Sequence, residues 1–149
     1  IRIKEKIAKL TEDEYNLGYY EEIYKCIHLY HDYSILGHLD LIQRYNKTIY
    51  PFEKSRDIIT KILKKVIEDG KGIEVNTSSF AYKLKDLTPS KEILKLYYEL
   101  GGKIITIGSD SHKAESIGSH IPLIQQELKN IGFSHFCTFD KMEPVFHEL

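Results

Sequence analysis

Apolar residues along the 149-residue chain recur in two alternating patterns. From residue 12 to 30, EDEYNLGYYEEIYKCIHLY, they fall at roughly helical spacing despite Gly18, and Thr11 with Glu14 forms a capping box at the start. YSILG, residues 33–37, is a short apolar run that reads as a buried strand. Residues 51–69 carry the strongest helix signal. Pro51 stands near the start, Ile58, Ile59, Ile62, Leu63, Val66 and Ile67 line one face, and Gly70 follows. GIEVN, residues 72–76, predicts the next strand, with Ile73 and Val75 on one face and Glu74 and Asn76 on the other. Ser90 is placed to cap a helix that runs to Leu100 and stops at Gly101. KIITIG, residues 103–108, is a third strand, a helix with Pro122 in its first turn covers about 119–130, and SHFCTF, residues 134–139, is a fourth strand.

Four rounds of helix then strand are the rhythm of a parallel α/β sheet. Nothing marks an internal domain boundary. The chain opens on Ile1 without an initiator Met and shows no recognisable targeting segment, which fits a processed chain or part of something longer equally.

Composition narrows the function. With 21 basic and 22 acidic residues the formal net charge is -1, which argues against a surface built for a nucleic-acid backbone. No apolar run is long enough to predict a membrane span. Cys26 and Cys137 are far apart and read as buried free thiols in a reducing cytoplasm, with a disulfide or a metal ligand as the alternative. The 11 tyrosines fall mostly at apolar helical positions and read as packing residues. Neither a GxxxxGK[ST] loop, nor GxGxxG, nor a GxSxG elbow occurs.

The polar residues with the most chemistry follow the strands. His38 and Asp40 in GHLD come after the first, Glu74 and Asn76 end the second, and Asp110 and His112 in GSDSH come after the third. In an α/β barrel those ends share one rim. Imidazole nitrogen and carboxylate oxygen together suit Zn, Mn or Fe, whereas each pair taken alone could equally hydrogen-bond internally or cap the next segment. Asp40 reads as a carboxylate that orients a ligand or closes a turn. Glu74 is either paired inside the barrel or close to the site. Asn76 either orients an oxygen or ends the strand. For a phosphate the candidates are Lys113, Arg44, Lys47, Lys83 and the amides of residues 116–120, with scattered surface lysines as the competing reading. His28, His31, His120, His135 and His147 carry weaker signals.

ILGHLDLIQRY, GIEVNTSSF and IITIGSDSHKAESIG, in that order, resemble the C-terminal half of histidinol-phosphatases of the PHP (polymerase and histidinol phosphatase) superfamily. The resemblance runs from about Gly18 to the C-terminus. It implies part of a distorted seven-stranded (β/α) barrel holding two or three divalent metals. His38, Asp110 and His112 would then be metal ligands, and Lys113 would bind substrate phosphate. It implies hydrolysis of L-histidinol phosphate by the complete enzyme, a small phosphorylated metabolite as partner, and a role in histidine biosynthesis. Another phosphate ester as substrate, or a catalytically silent interaction domain, are the alternatives. The family's N-terminal HxH motif occurs nowhere in this chain, and Phe80, Ala81 and Tyr82 stand where an Arg is often found. Half a barrel leaves open sheet edges, so self-association or completion by an N-terminal segment is expected, and little activity from the 149 residues alone.

Overall fold

The computed structural model describes residues 5, 7–81 and 86–149, the side chain of Ala81 excepted. Its elements are α1 (Glu12–Leu29), β1 (Ile35–Leu36), a 3-10 turn (Leu41–Tyr45), α2 (Phe52–Glu68), β2 (Gly72–Asn76), the short α3 (Ser78–Ala81), α4 (Lys91–Glu99), β3 (Ile105–Gly108), a second 3-10 turn (Ala114–Ser116), α5 (Ile121–Ile131), β4 (His135–Asp140) and β5 (Glu143–Glu148). The start of α1 follows from local chemistry: the Glu14 amide donates to Thr11 Oγ1 at 3.3 Å, and the Thr11 amide donates to Glu14 Oε2 at 2.7 Å. At α4 the Ser90 hydroxyl accepts from the Ile93 amide at 3.4 Å. Both caps supply partners for amides that a helix leaves unsatisfied in its first turn.

Strands β1, β2 and β3 form one parallel sheet in that order, with Ile35 opposite Gly72 and Glu74 opposite Thr106. The apolar row of β2, Ile73 and Val75, is fully buried. It packs in one core with Ile59, Ile62, Leu63 and Val66 of α2, Ile93, Leu94 and Tyr97 of α4, and Ile124 and Leu128 of α5. The opposite row holds Gly37, Glu74 and Thr106 at one level, and Glu74 and Thr106 are only half-buried. Helices therefore cover one face of the sheet, and a small, polar row faces the other way.

The expected fourth parallel strand takes a different place. β4 packs beside β3 but pairs antiparallel with β5, His135 opposite Glu148 through Asp140 opposite Glu143. Lys141 and Met142 link them with φ of 48° and 68°, the two left-handed residues of a tight hairpin turn. Neither residue is Asn, Asp or Gly, so the usual sequence signal for the turn is missing. The first strand is also shorter than its apolar run, because after Leu36 the chain turns toward His38 instead of continuing the ladder. Cys137 is buried as expected, whereas Cys26 is exposed, correcting the reading of both as interior thiols. Cys26 lies on the outward side of α1, next to the exposed Lys25. Among the described residues no helix is long and apolar enough to cross a membrane.

Candidate metal centre at the strand ends

His38 follows β1 after Gly37, in the left-handed backbone region at φ 53°. Its carbonyl is held twice, by the Tyr19 hydroxyl at 2.6 Å and by the Leu41 amide at 3.1 Å. Burial pushes the Tyr19 phenol up, so it remains a donor. Leu39 is fully buried behind it and anchors the bend. The imidazole is half-exposed, with Nδ1 buried and 3.6 Å from Glu74 Oε2.

Asp40 turns away from the strand ends. It is 2% exposed, its Oδ2 accepts from the Ser90 amide at 2.9 Å, and Oδ1 is buried with no hydrogen-bond partner. Burial raises its pKa to about 7, against the opposing pull of the Ser90 amide. The carboxylate lines a cavity of about 210 Å³ together with Tyr20, Gln43, Tyr50 and Ile93. His38, Glu74, Asp110 and His112 are absent from the described walls of that cavity.

Beyond β2 the chain is buried and polar. Asn76 Oδ1 accepts from the Ser78 amide at 2.8 Å, which opens α3, and its Nδ2 is buried with no hydrogen-bond partner. Thr77 Oγ1 and Ser79 Oγ are likewise buried with no hydrogen-bond partner. The Thr77 amide donates to the Gly108 carbonyl at 2.8 Å and fastens the end of β2 to the end of β3. Arg44 reaches across from the first 3-10 turn, its Nη2 donating to Ser78 Oγ at 2.6 Å. Arg44 and the NTSS segment thus form one polar patch beside the strand ends.

After β3, Asp110 is exposed and left-handed at φ 48°. His112 and Lys113 are exposed as well. His112 Nδ1 lies 2.9 Å from the Asp110 carbonyl oxygen. A carbonyl only accepts, so Nδ1 carries the proton in that contact and Nε2 is left free. The amides of residues 116–119, expected as phosphate donors, are already engaged. They donate to the Lys113 carbonyl, the Ala114 carbonyl, Ser109 Oγ and the Ser116 carbonyl respectively. Lys83 and Lys85 lie outside the described residues, as does Tyr82.

The donor types at these ends, two imidazoles and a carboxylate, fit a divalent transition metal. They do not make a closed cage: among the described residues no group of three or more His, Cys, Asp or Glu side chains is gathered tightly enough to hold an ion. The other histidines find local partners. His28 Nδ1 lies 2.8 Å from the Tyr24 carbonyl oxygen, His147 Nε2 lies 2.7 Å from Thr138 Oγ1, and His120 stacks on Phe80 with ring centroids 4.4 Å apart. Tyr19 and Ser78 carried no sequence signal. One sits in an amphipathic helix among packing tyrosines, the other in a polar turn, and only the fold brings them to His38 and Arg44.

Residues 3–78 match the family described as PHP domain. A probable histidinol-phosphatase of Thermotoga maritima is 37% identical over 109 residues, which cover 73% of this chain and 46% of that protein. The histidinol-phosphatase of Lactococcus lactis is 31% identical over 143 residues, 93% of this chain and 51% of that protein. A crystal structure of histidinol phosphate phosphatase from Lactococcus lactis, complexed with zinc, L-histidinol and phosphate, superposes with a TM-score of 0.75 at 25% identity. It covers 91% of this chain, which in turn covers 52% of it. The chain spans about half the length of the curated relatives it matches.

Proposed function

The chain belongs to the PHP domain family, and from that premise we propose that it is the C-terminal part of a metal-dependent histidinol-phosphatase. The protein it belongs to hydrolyses L-histidinol phosphate to L-histidinol and phosphate. One observation carries the reading. His38 and the Asp110–His112 pair follow β1 and β3, the two strands that flank β2 in one parallel sheet, so both motifs leave the sheet at the same end. The relatives' names and the zinc, histidinol and phosphate of the superposed enzyme supply the reaction.

In this reading His38, Asp110 and His112 hold part of a cluster of two or three divalent ions, zinc in the first place and manganese or iron otherwise. The remaining ligands come from the part of the barrel that this half-length chain does not supply. Held there, the ions would supply Lewis-acid chemistry, activating water and offsetting charge on the phosphoryl oxygens. The chain's own residues do the rest. Arg44 and Lys113 bind the phosphate. Arg44 brings a planar fork, and Lys113 a point charge on a flexible stem. Asn76 orients an oxygen with its free Nδ2, and Asp40 steadies the loop that carries His38. A water oxygen bonds to phosphorus, the phosphorus–oxygen ester bond breaks, and the proton that the water gives up passes to the departing alkoxide, which becomes the alcohol.

The barrel of the complete protein is the distorted seven-stranded PHP type. Among the described residues β1 is paired on one side only, and that edge closes against a second copy of the chain or an N-terminal segment. Elemental analysis of the purified chain, beside a variant with His38, Asp110 and His112 all changed to Ala, tests the reading. Metal retained by the chain and lost from the variant is the expected result. Metal equal in both removes the assignment of these three residues and favours a silent interaction domain; metal absent from both means that the missing part of the barrel is required or that the reading is wrong, and the same comparison on the full-length protein decides between them. A panel of phosphate monoesters assayed on the full-length protein separates histidinol phosphate from other substrates.

A further inference from the structure

Gly37 and Gly108 immediately precede the two motifs, one at each outer strand end. Neither has the positive φ that makes glycine necessary for conformational reasons; the positive-φ glycines among the described residues are Gly70, Gly101, Gly118 and Gly132. At Gly108 space is the reason instead. A Cβ on Gly108 would lie 2.5 Å from Glu74 Oε1, closer than real side chains come, whereas a Cβ on Gly37 would meet Glu74 Oε2 at 3.4 Å, an ordinary contact. The central strand therefore carries a carboxylate laid across the sheet, and both neighbours are bare where it lies.

That carboxylate faces a nitrogen that lacks a partner. His38 Nδ1 is buried and makes no hydrogen bond, and Glu74 Oε2 stands 3.6 Å from it, just beyond hydrogen-bond length. The backbone of His38 is fixed by Tyr19 and Leu41, so the ring has little freedom except rotation about its own side-chain bonds. A small rotation closes the gap.

We propose that Glu74 is the positioning residue for His38: it accepts a hydrogen bond from Nδ1–H and thereby leaves Nε2 as the ligating nitrogen. The inference rests on the metal reading above and adds to it a residue that touches neither metal nor substrate. A carboxylate behind a ligating imidazole fixes its tautomer and raises its basicity. The glycine of the GSDSH segment acquires a physical reason in the same step, since Gly108 clears room for one carboxylate oxygen. His112 reaches the same tautomer by another route, through the Asp110 carbonyl.

Nitrogen-15 NMR of the metal-free chain, followed over a pH series to the alkaline plateau of the spectrum, reads the tautomer directly. In the native chain His38 is expected as the Nδ1-protonated form. Glu74→Met shifts it toward a mixture dominated by the Nε2-protonated form, and Glu74→Gln, whose amide oxygen still accepts, retains the native form. Zinc titration follows the same order. Glu74→Met binds about 10- to 100-fold more weakly, while Glu74→Gln stays within a few-fold of the native chain. A His38 tautomer unchanged by Glu74→Met overturns the inference. Equal loss of zinc in both variants overturns it too, by making Glu74 a ligand. Should the native chain bind no zinc while the tautomers behave as stated, the pairing stands and the metal reading of the chain fails.

Discussion

Asp40 and Glu74 are both acidic, both close to His38 in sequence or space, and differ in what surrounds them. Asp40 is sealed against the start of α4 and its pKa is pushed to about 7 by burial. Because the folded value lies above the ordinary 3.8, the folded chain holds the proton more tightly than the unfolded one. Stability is then greatest below about pH 4 and falls as pH rises through 7, by on the order of 4 kcal/mol for this group. Asp40→Asn keeps an oxygen for the Ser90 amide and removes the ionisation. Its melting temperature is expected to match the native chain near pH 4 and exceed it above pH 7, and equal melting at both pH values would show that Asp40 is solvated or otherwise compensated. Gly108→Ala tests the other carboxylate: the new methyl displaces Glu74, so zinc binding weakens while circular dichroism stays native. Unchanged zinc binding would mean that the space beside Gly108 serves packing alone.

Helices announce themselves along this chain because their signals are local. The Thr11–Glu14 box, Pro51 before α2 and Ser90 before α4 each act within one turn. Ser90→Ala is expected to cost about 1 kcal/mol in urea unfolding, and no change would mean that the Ile93 amide finds water as readily. Strand ends were less legible, since pairing is decided by neighbours that sequence does not display. At Gly72 a Cβ would run into the backbone oxygen and side chain of Ile104, so Gly72→Ala should lose about 1–3 kcal/mol. The hairpin of β4 and β5 is the clearest case. Lys141 and Met142 occupy left-handed positions that ordinary residues disfavour by about 1–2 kcal/mol each. Replacing them with Asn and Gly should raise stability by about 1 kcal/mol or more, as read from the denaturation midpoint; a lower midpoint would argue that their side chains hold the turn.

At the scale of the molecule, a three-stranded sheet is covered by helices on one face, while its other face presents Glu74 and Thr106 half-exposed. Among the described residues β1 has a strand neighbour on one side only, so sedimentation at micromolar concentration is expected to show concentration-dependent association, and a monomer throughout would remove self-association as the means of closure. The isolated chain should turn over histidinol phosphate far below about 1 s⁻¹, the low end of ordinary enzymes. A rate at or above that would mean that its own residues complete the cluster. By itself the sequence determined the alternation of helices and strands, the apolar face of α2 and the two motifs at the strand ends, because periodicity, caps and short spacings act over a few residues. Only the tertiary structure decided that the fourth strand leaves the parallel ladder, that Asp40 faces α4, that Tyr19 grips the His38 carbonyl, and that Glu74 lies between two glycines. Those outcomes depend on which distant segments share space, and burial and register are properties of that arrangement rather than of any one stretch of chain.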